Sequence, residues 1–136
     1  MTNERLDITD GRDVARLVNI FYDRVRADDL LGPIFDGVAN VDWPTHLPLM
    51  YDFWESVLFG TATFKGAPLE AHRALARRTP LTSDAFNRWI ALFHETVDDL
   101  FAGTAANHAK QSASRIAMVL QHHVAAGQGA ELAHVP

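Results

Sequence analysis

His72 closes the stretch Lys65-Gly66-Ala67-Pro68-Leu69-Glu70-Ala71-His72, a turn of helical composition opened by a proline. A neutral imidazole there can serve as a metal ligand. Three other side chains carry polar tips on apolar bodies: Tyr22 in Phe21-Tyr22, His46 in Trp43-Pro44-Thr45-His46, and Trp89 in Arg88-Trp89-Ile90. A hydroxyl, an imidazole and an indole N–H can each hydrogen-bond a small polar guest. Phe35, Met50, Phe53 and Trp54 offer flat or pliable apolar surface, and Arg73, Arg77 and Arg78 follow His72 as fixed positive charge. One imidazole, an apolar slot and polar tips opposite it form the donor set that an iron porphyrin uses: a proximal histidine, an open far side, and hydrogen-bond donors that choose the chemistry. In that reading the arginines, Arg78 among them, neutralise the porphyrin carboxylates.

Taken singly, each of these residues also has an ordinary place in a helical protein. Buried tyrosine and tryptophan pack as aromatics whose polar ends find a backbone partner. A second reading is therefore a haem-free helical metal-binding or protein-interaction module using His94, His108 or the pair His122-His123. Its weakness is geometric, because adjacent residues on a helix diverge by about 100° and do not readily share one ion. No HExxH or carboxylate–histidine helix motif accompanies them.

The elements that must position these groups are helical. Val14, Leu17, Val18, Phe21, Tyr22 and Val25 fall at helical spacing on one face. Thr9 or Asp10 can cap that helix, and Leu31-Gly32-Pro33 breaks it. A second helix is predicted from Asp42 to Gly60, with Pro44 in its tolerant first turn and Pro48 as a source of bending. Its inward face would carry Trp43, His46, Leu47, Met50, Phe53, Trp54, Val57 and Leu58. Residues 61–67 read as loop and Pro68 to about Arg77 as a short helix. Thr82 or Ser83 then caps a helix carrying Phe86, Trp89, Ile90, Phe93, Val97, Leu100 and Phe101, with Gly103 closing it. A last helix over about 105–125 turns Ala109, Ala113, Ile116, Ala117, Leu120 and Val124 inward. The pattern predicts an all-α single domain over residues 1–126, with 127–136 as a flexible C-terminal tail.

Composition narrows the classes. The 136 residues, 48% hydrophobic, suffice for one continuous core. With no cysteine, disulfides, thiolate catalysis and cysteine-ligated metal centres are excluded. A formal net charge of −5 with interspersed signs argues against a nucleic-acid partner. No signal pattern or membrane-length apolar run is present, which points to the cytoplasm and away from a membrane.

Several ordered pieces resemble one family. They are Phe21-Tyr22-Asp23-Arg24-Val25-Arg26, Leu31-Gly32-Pro33-Ile34-Phe35, Trp43-Pro44-Thr45-His46-Leu47, Phe53-Trp54, the 65–72 stretch, and Phe86-Asn87-Arg88-Trp89-Ile90-Ala91-Leu92-Phe93. In order and spacing, across about residues 12–125, the chain is similar to the truncated haemoglobins of the third group. The resemblance implies a two-over-two globin sandwich around haem b. It implies His72 as proximal iron ligand, Tyr22 and Trp89 as distal residues that stabilise bound ligand, His46 as a distal histidine that gates access, and Phe35 as the wedge against the porphyrin. The expected guests are diatomic gases, dioxygen, carbon monoxide or nitric oxide. The expected role lies in oxygen, nitric oxide or peroxide chemistry, such as NO dioxygenase- or peroxidase-like turnover with an external reductase, rather than in transport. The chain shares with this group the lack of a Gly-Gly pair. It departs from the group at Ala85, where a histidine would precede Phe86, and in the length of the 73–83 stretch.

Overall fold

The computed structural model describes residues 5–61 and 82–133. These residues form α1 (Gly11–Ala27), a π-helical turn (Pro33–Val38), α2 (Trp43–Phe59), α3 (Ser83–Leu100) and α4 (Thr104–Ala133), with no strand among them. The predicted short helix from Pro68 lies outside the described residues.

α1 forms where its apolar stripe predicts. Asp10 is the N-cap, its carboxylate accepting from the backbone N–H groups of Arg12 and Asp13 at 3.0 and 3.1 Å. This supplies partners for donors that the first helical turn leaves over. Val14, Leu17, Val18, Phe21, Tyr22 and Val25 are all buried, and each large apolar side chain contributes roughly 1.5–3 kcal/mol on leaving water. The helix ends at Ala27, earlier than the glycine–proline pair. Asp28 organises the exit: one carboxylate oxygen accepts from the backbone N–H groups of Leu30 and Leu31 at 3.1 and 3.0 Å, and the other accepts from Arg88 Nε at 2.6 Å. That bond ties the end of α1 to α3. Gly32 is required by close approach, since a Cβ there would lie 2.5 Å from the Arg26 carbonyl oxygen.

α2 starts at Asp42 as predicted, with Pro44 in its first turn. The Asp42 carboxylate accepts from the Thr45 hydroxyl at 2.9 Å rather than from a backbone N–H. Gly60 ends the helix in the left-handed region, φ 67°, where glycine carries no Cβ penalty. Of the predicted inward face only Trp43 and Trp54 are fully buried; His46, Leu47, Met50, Phe53, Val57 and Leu58 are half-buried.

Thr82 caps α3, its hydroxyl accepting from Ala85 N–H at 3.2 Å. α3 closes at Leu100, with Phe101 already extended, so Gly103 is not its terminator. Gly103 instead precedes α4 at φ 142°, pressed against Asp7, whose side chain a Cβ would meet at 2.5 Å. The Asp7 carboxylate accepts from Ala105 and Ala106 N–H, both at 2.9 Å, and so caps α4 from the other end of the chain. Burial works to raise the pKa of Asp7, but the backbone donors around it win and hold it below the ordinary value of 3.8. α4 presents Ala106, Ala109, Ala113 and Ala117 as a buried small-residue stripe. It runs to Ala133, past the predicted end near 125. The alanines of 125–133 have the highest helix propensity and offset Gly127 and Gly129, each worth about 1 kcal/mol against the helix.

α1 packs on both α2 and α3, and α4 packs on both α3 and α2. The result is the predicted all-α sandwich, with one main core shared by all four helices.

Candidate functional site

Where α1, the π-helical turn, α2 and α3 meet, aromatic rings replace aliphatic packing. Tyr22, on the inward stripe of α1, is 5% exposed. Its ring lies 5.5 Å from that of His46 in an edge-to-face arrangement, 5.4 Å from Trp43 and 6.1 Å from Phe35. Trp43 and His46 are three residues apart in the first turns of α2, which puts both on one face, and their rings also meet edge to face at 5.5 Å. Phe35, carried by the π-helical turn, stacks on Trp43 at 6.1 Å. From α3, Trp89 meets Phe21 edge to face at 5.5 Å, and the Phe21 ring in turn lies 4.9 Å from that of Tyr22.

Burial determines the protonation of Tyr22: it pushes the phenol well above its ordinary value of 10.0, against a smaller opposing effect of Trp89. Tyr22 therefore stays a neutral O–H donor throughout the neutral range.

Behind this group lies a supporting stack. Trp54 lies flat on Phe93 at 4.7 Å, and Trp89 lies flat on Phe93 at 5.8 Å. Phe21 meets the edges of Trp89 and Phe93 at 5.5 and 5.1 Å. Phe93 is fully buried. Trp54 thus acts first as core, while Phe53 and Met50 are half-buried and pack against the same cluster. Of the residues singled out in the sequence, Tyr22, His46, Trp89 and Phe35 come together. His72, Arg73, Arg77 and Arg78 lie outside the described residues.

The sequence pattern puts Trp43 on the inward face of α2 without marking it as a site residue, and it does not mark Asp36 at all. Trp43 Nε1 donates to Asp36 Oδ1 at 2.7 Å, Arg26 Nε donates to Asp36 Oδ2 at 3.2 Å, and the Arg26 guanidinium lies over the Trp43 ring at 4.9 Å. The i, i+3 spacing of Trp43 and His46 is a signal that could have singled out the tryptophan; nothing local marks the aspartate.

Of the histidines of the haem-free reading, His94 and His108 bond to separate partners rather than to a common site. His94 Nε2 contacts Lys110 O at 3.0 Å and Ser114 Oγ at 2.9 Å, whereas His108 Nε2 contacts Val57 O at 3.3 Å. No cluster of three metal-ligating side chains occurs among the described residues. The Tyr22 site itself offers a hydroxyl, an imidazole and an indole N–H among rings. That donor set is ill suited to a hard cation, which wants carboxylate and carbonyl oxygen, and well suited to a small polar guest beside a flat apolar cofactor.

The sequence profile of the bacterial-like globins matches residues 7–126. The chain belongs to that family. It is 33% identical over 112 residues to the group 3 truncated haemoglobin of Campylobacter jejuni, covering 80% of this chain and 86% of that one. The crystal structure of the group III truncated haemoglobin from Campylobacter jejuni superposes with a TM-score of 0.76 at 29% identity, covering 88% of this chain and 94% of that chain. Haem b is the cofactor of these globins, and a globin sandwich explains why three helices and the π-helical turn converge on one aromatic cluster. No described helix is long and apolar enough to cross a membrane.

Proposed function

We propose that this globin binds a diatomic gas at a haem whose iron is held by His72, with Tyr22 and Trp89 stabilising the bound guest and His46 gating its entry. The observation that carries the reading is the Tyr22–Trp89–His46 convergence: a hydroxyl, an indole N–H and an imidazole in one aromatic cluster of a globin. Haem iron supplies the position at which dioxygen, carbon monoxide or nitric oxide binds. Tyr22 supplies the proton to a guest that draws negative charge, and a neutral hydrogen bond of this kind contributes about 1 kcal/mol, roughly fivefold in affinity. The Trp89 indole N–H is the second donor to that guest. Phe35, Met50, Phe53 and Trp54 exclude water and present apolar surface to the porphyrin, with Arg78 as counter-charge to its carboxylates. His46, half-buried on the inward face of α2 and edge-on to Tyr22, stands where a gate would.

Two cooperating donors slow the release of dioxygen. That suits retention for oxygen, nitric oxide or peroxide chemistry, with electrons from an external reductase, better than carriage. The reading is tested by colour. Protein supplied with haem shows an intense Soret band that shifts on reduction with dithionite and again with carbon monoxide. His72→Ala loses stable haem at unchanged helix content. A folded protein that takes up no haem, or a His72→Ala variant with full haem stoichiometry, contradicts the reading.

A further inference from the structure

We propose that Asp36 is a positioning residue for the distal site, acting through Trp43 from the surface of the protein. The inference rests on the functional reading above, in that it takes Tyr22 and His46 to be the residues facing the guest.

Asp36 is exposed, yet its two carboxylate oxygens are both engaged inward: Oδ1 by the Trp43 indole N–H at 2.7 Å, Oδ2 by Arg26 Nε at 3.2 Å. The same Arg26 lays its guanidinium over the Trp43 ring at 4.9 Å, a cation–π contact. Trp43 is therefore held at one edge by a charged acceptor and on one face by a cation. Among the described residues, the rings that meet it are Tyr22 at 5.4 Å, His46 at 5.5 Å and Phe35 at 6.1 Å. Each of these is one that the functional reading places beside the cofactor or its guest. A shift of the indole must displace the donor, the gate or the wedge, because packed rings interdigitate with little free volume. The turn that carries Asp36 is π-helical, a rare form that recurs at functional sites. Its placement brings Phe35 into the cluster while Asp36 reaches the indole nitrogen.

Ferrous protein with carbon monoxide is the probe, read by the Fe–CO stretching frequency, the association rate and the indole N–H resonance of Trp43. Asp36→Ala is expected to move the indole resonance, shift the Fe–CO frequency and change the association rate about three- to tenfold, the span of one lost hydrogen bond. Asp36→Asn keeps an oxygen that accepts from Trp43 Nε1 and holds the Fe–CO frequency near that of the unmodified protein. In a Trp43→Phe background, Asp36→Ala adds nothing further to rate or frequency. The proposal is overturned if Asp36→Ala leaves frequency and rate unchanged, if Asp36→Asn behaves as Asp36→Ala, or if the effect persists without Trp43. Tyr22→Phe separates the two ideas. If it shifts the Fe–CO frequency and Asp36→Ala does not, the role of Asp36 alone fails; if Tyr22→Phe leaves that frequency unmoved, the distal reading itself fails.

Discussion

α1 and α2 are both seventeen residues long, and they are built on opposite plans. α1 begins with a side-chain cap, buries six residues along one stripe and is tied to α3 through Asp28 and Arg88. α2 begins without a side-chain bond to its backbone, carries Pro48 in its interior and buries only Trp43 and Trp54 completely. Tyr22, the proposed donor, stands on the helix with the fully buried stripe, and His46, the proposed gate, on the helix whose inward face is half-buried. The division is physically sensible: a hydrogen-bond donor gains from being fixed before its guest arrives, whereas a gate must have somewhere to go.

The contrast can be broken at its strongest point first. Phe93, fully buried between Trp54 and Trp89, supports the fixed side. Phe93→Ala is expected to cost about 3–5 kcal/mol in chemical denaturation, through lost burial and the cavity left behind. Leu49→Ala, at a position 43% exposed on α2, should change stability by less than about 0.5 kcal/mol. Similar losses from both would mean that Leu49 is packed as closely as the Phe93 stack.

A smaller effect separates gate from donor in kinetics. His46→Val is expected to raise the carbon monoxide association rate about three- to tenfold, the worth of about one broken contact, and to leave haem content unchanged. Flash photolysis measures it. A variant in which only the dissociation rate moves would make His46 a second donor and not a gate.

The same contrast shows what sequence patterns carry. The stripe of α1, its Asp10 cap, the start of α2 at Asp42, its stop at Gly60 and the Thr82 cap are set by residues a few positions apart, and all are legible. Burial on α2 is less so, because its apolar residues say which face turns inward without saying how much covers it. Long-range polar bonds are not legible at all. Asp28 meets Arg88 across sixty positions and Asp7 caps α4 across nearly a hundred, and no local spacing announces either. Gly103 misled because glycine after a helix usually terminates it, while here the requirement comes from Asp7 pressing on the following turn. The last helix outran its predicted end because alanine outweighs two glycines. In the site, Tyr22, His46 and Trp89 were legible as polar tips on apolar faces, whereas Asp36, an exposed aspartate in a short turn, carried no mark of its bond to Trp43.

The account depends on Tyr22 donating to the guest, with Trp89 behind it, and the dioxygen dissociation rate of the ferrous protein tests this most directly. Stopped-flow displacement with Tyr22→Phe should show release about fivefold faster or more, the loss of one hydrogen bond in a low-dielectric site. An off-rate equal to that of the unmodified protein, with haem fully retained, would contradict it.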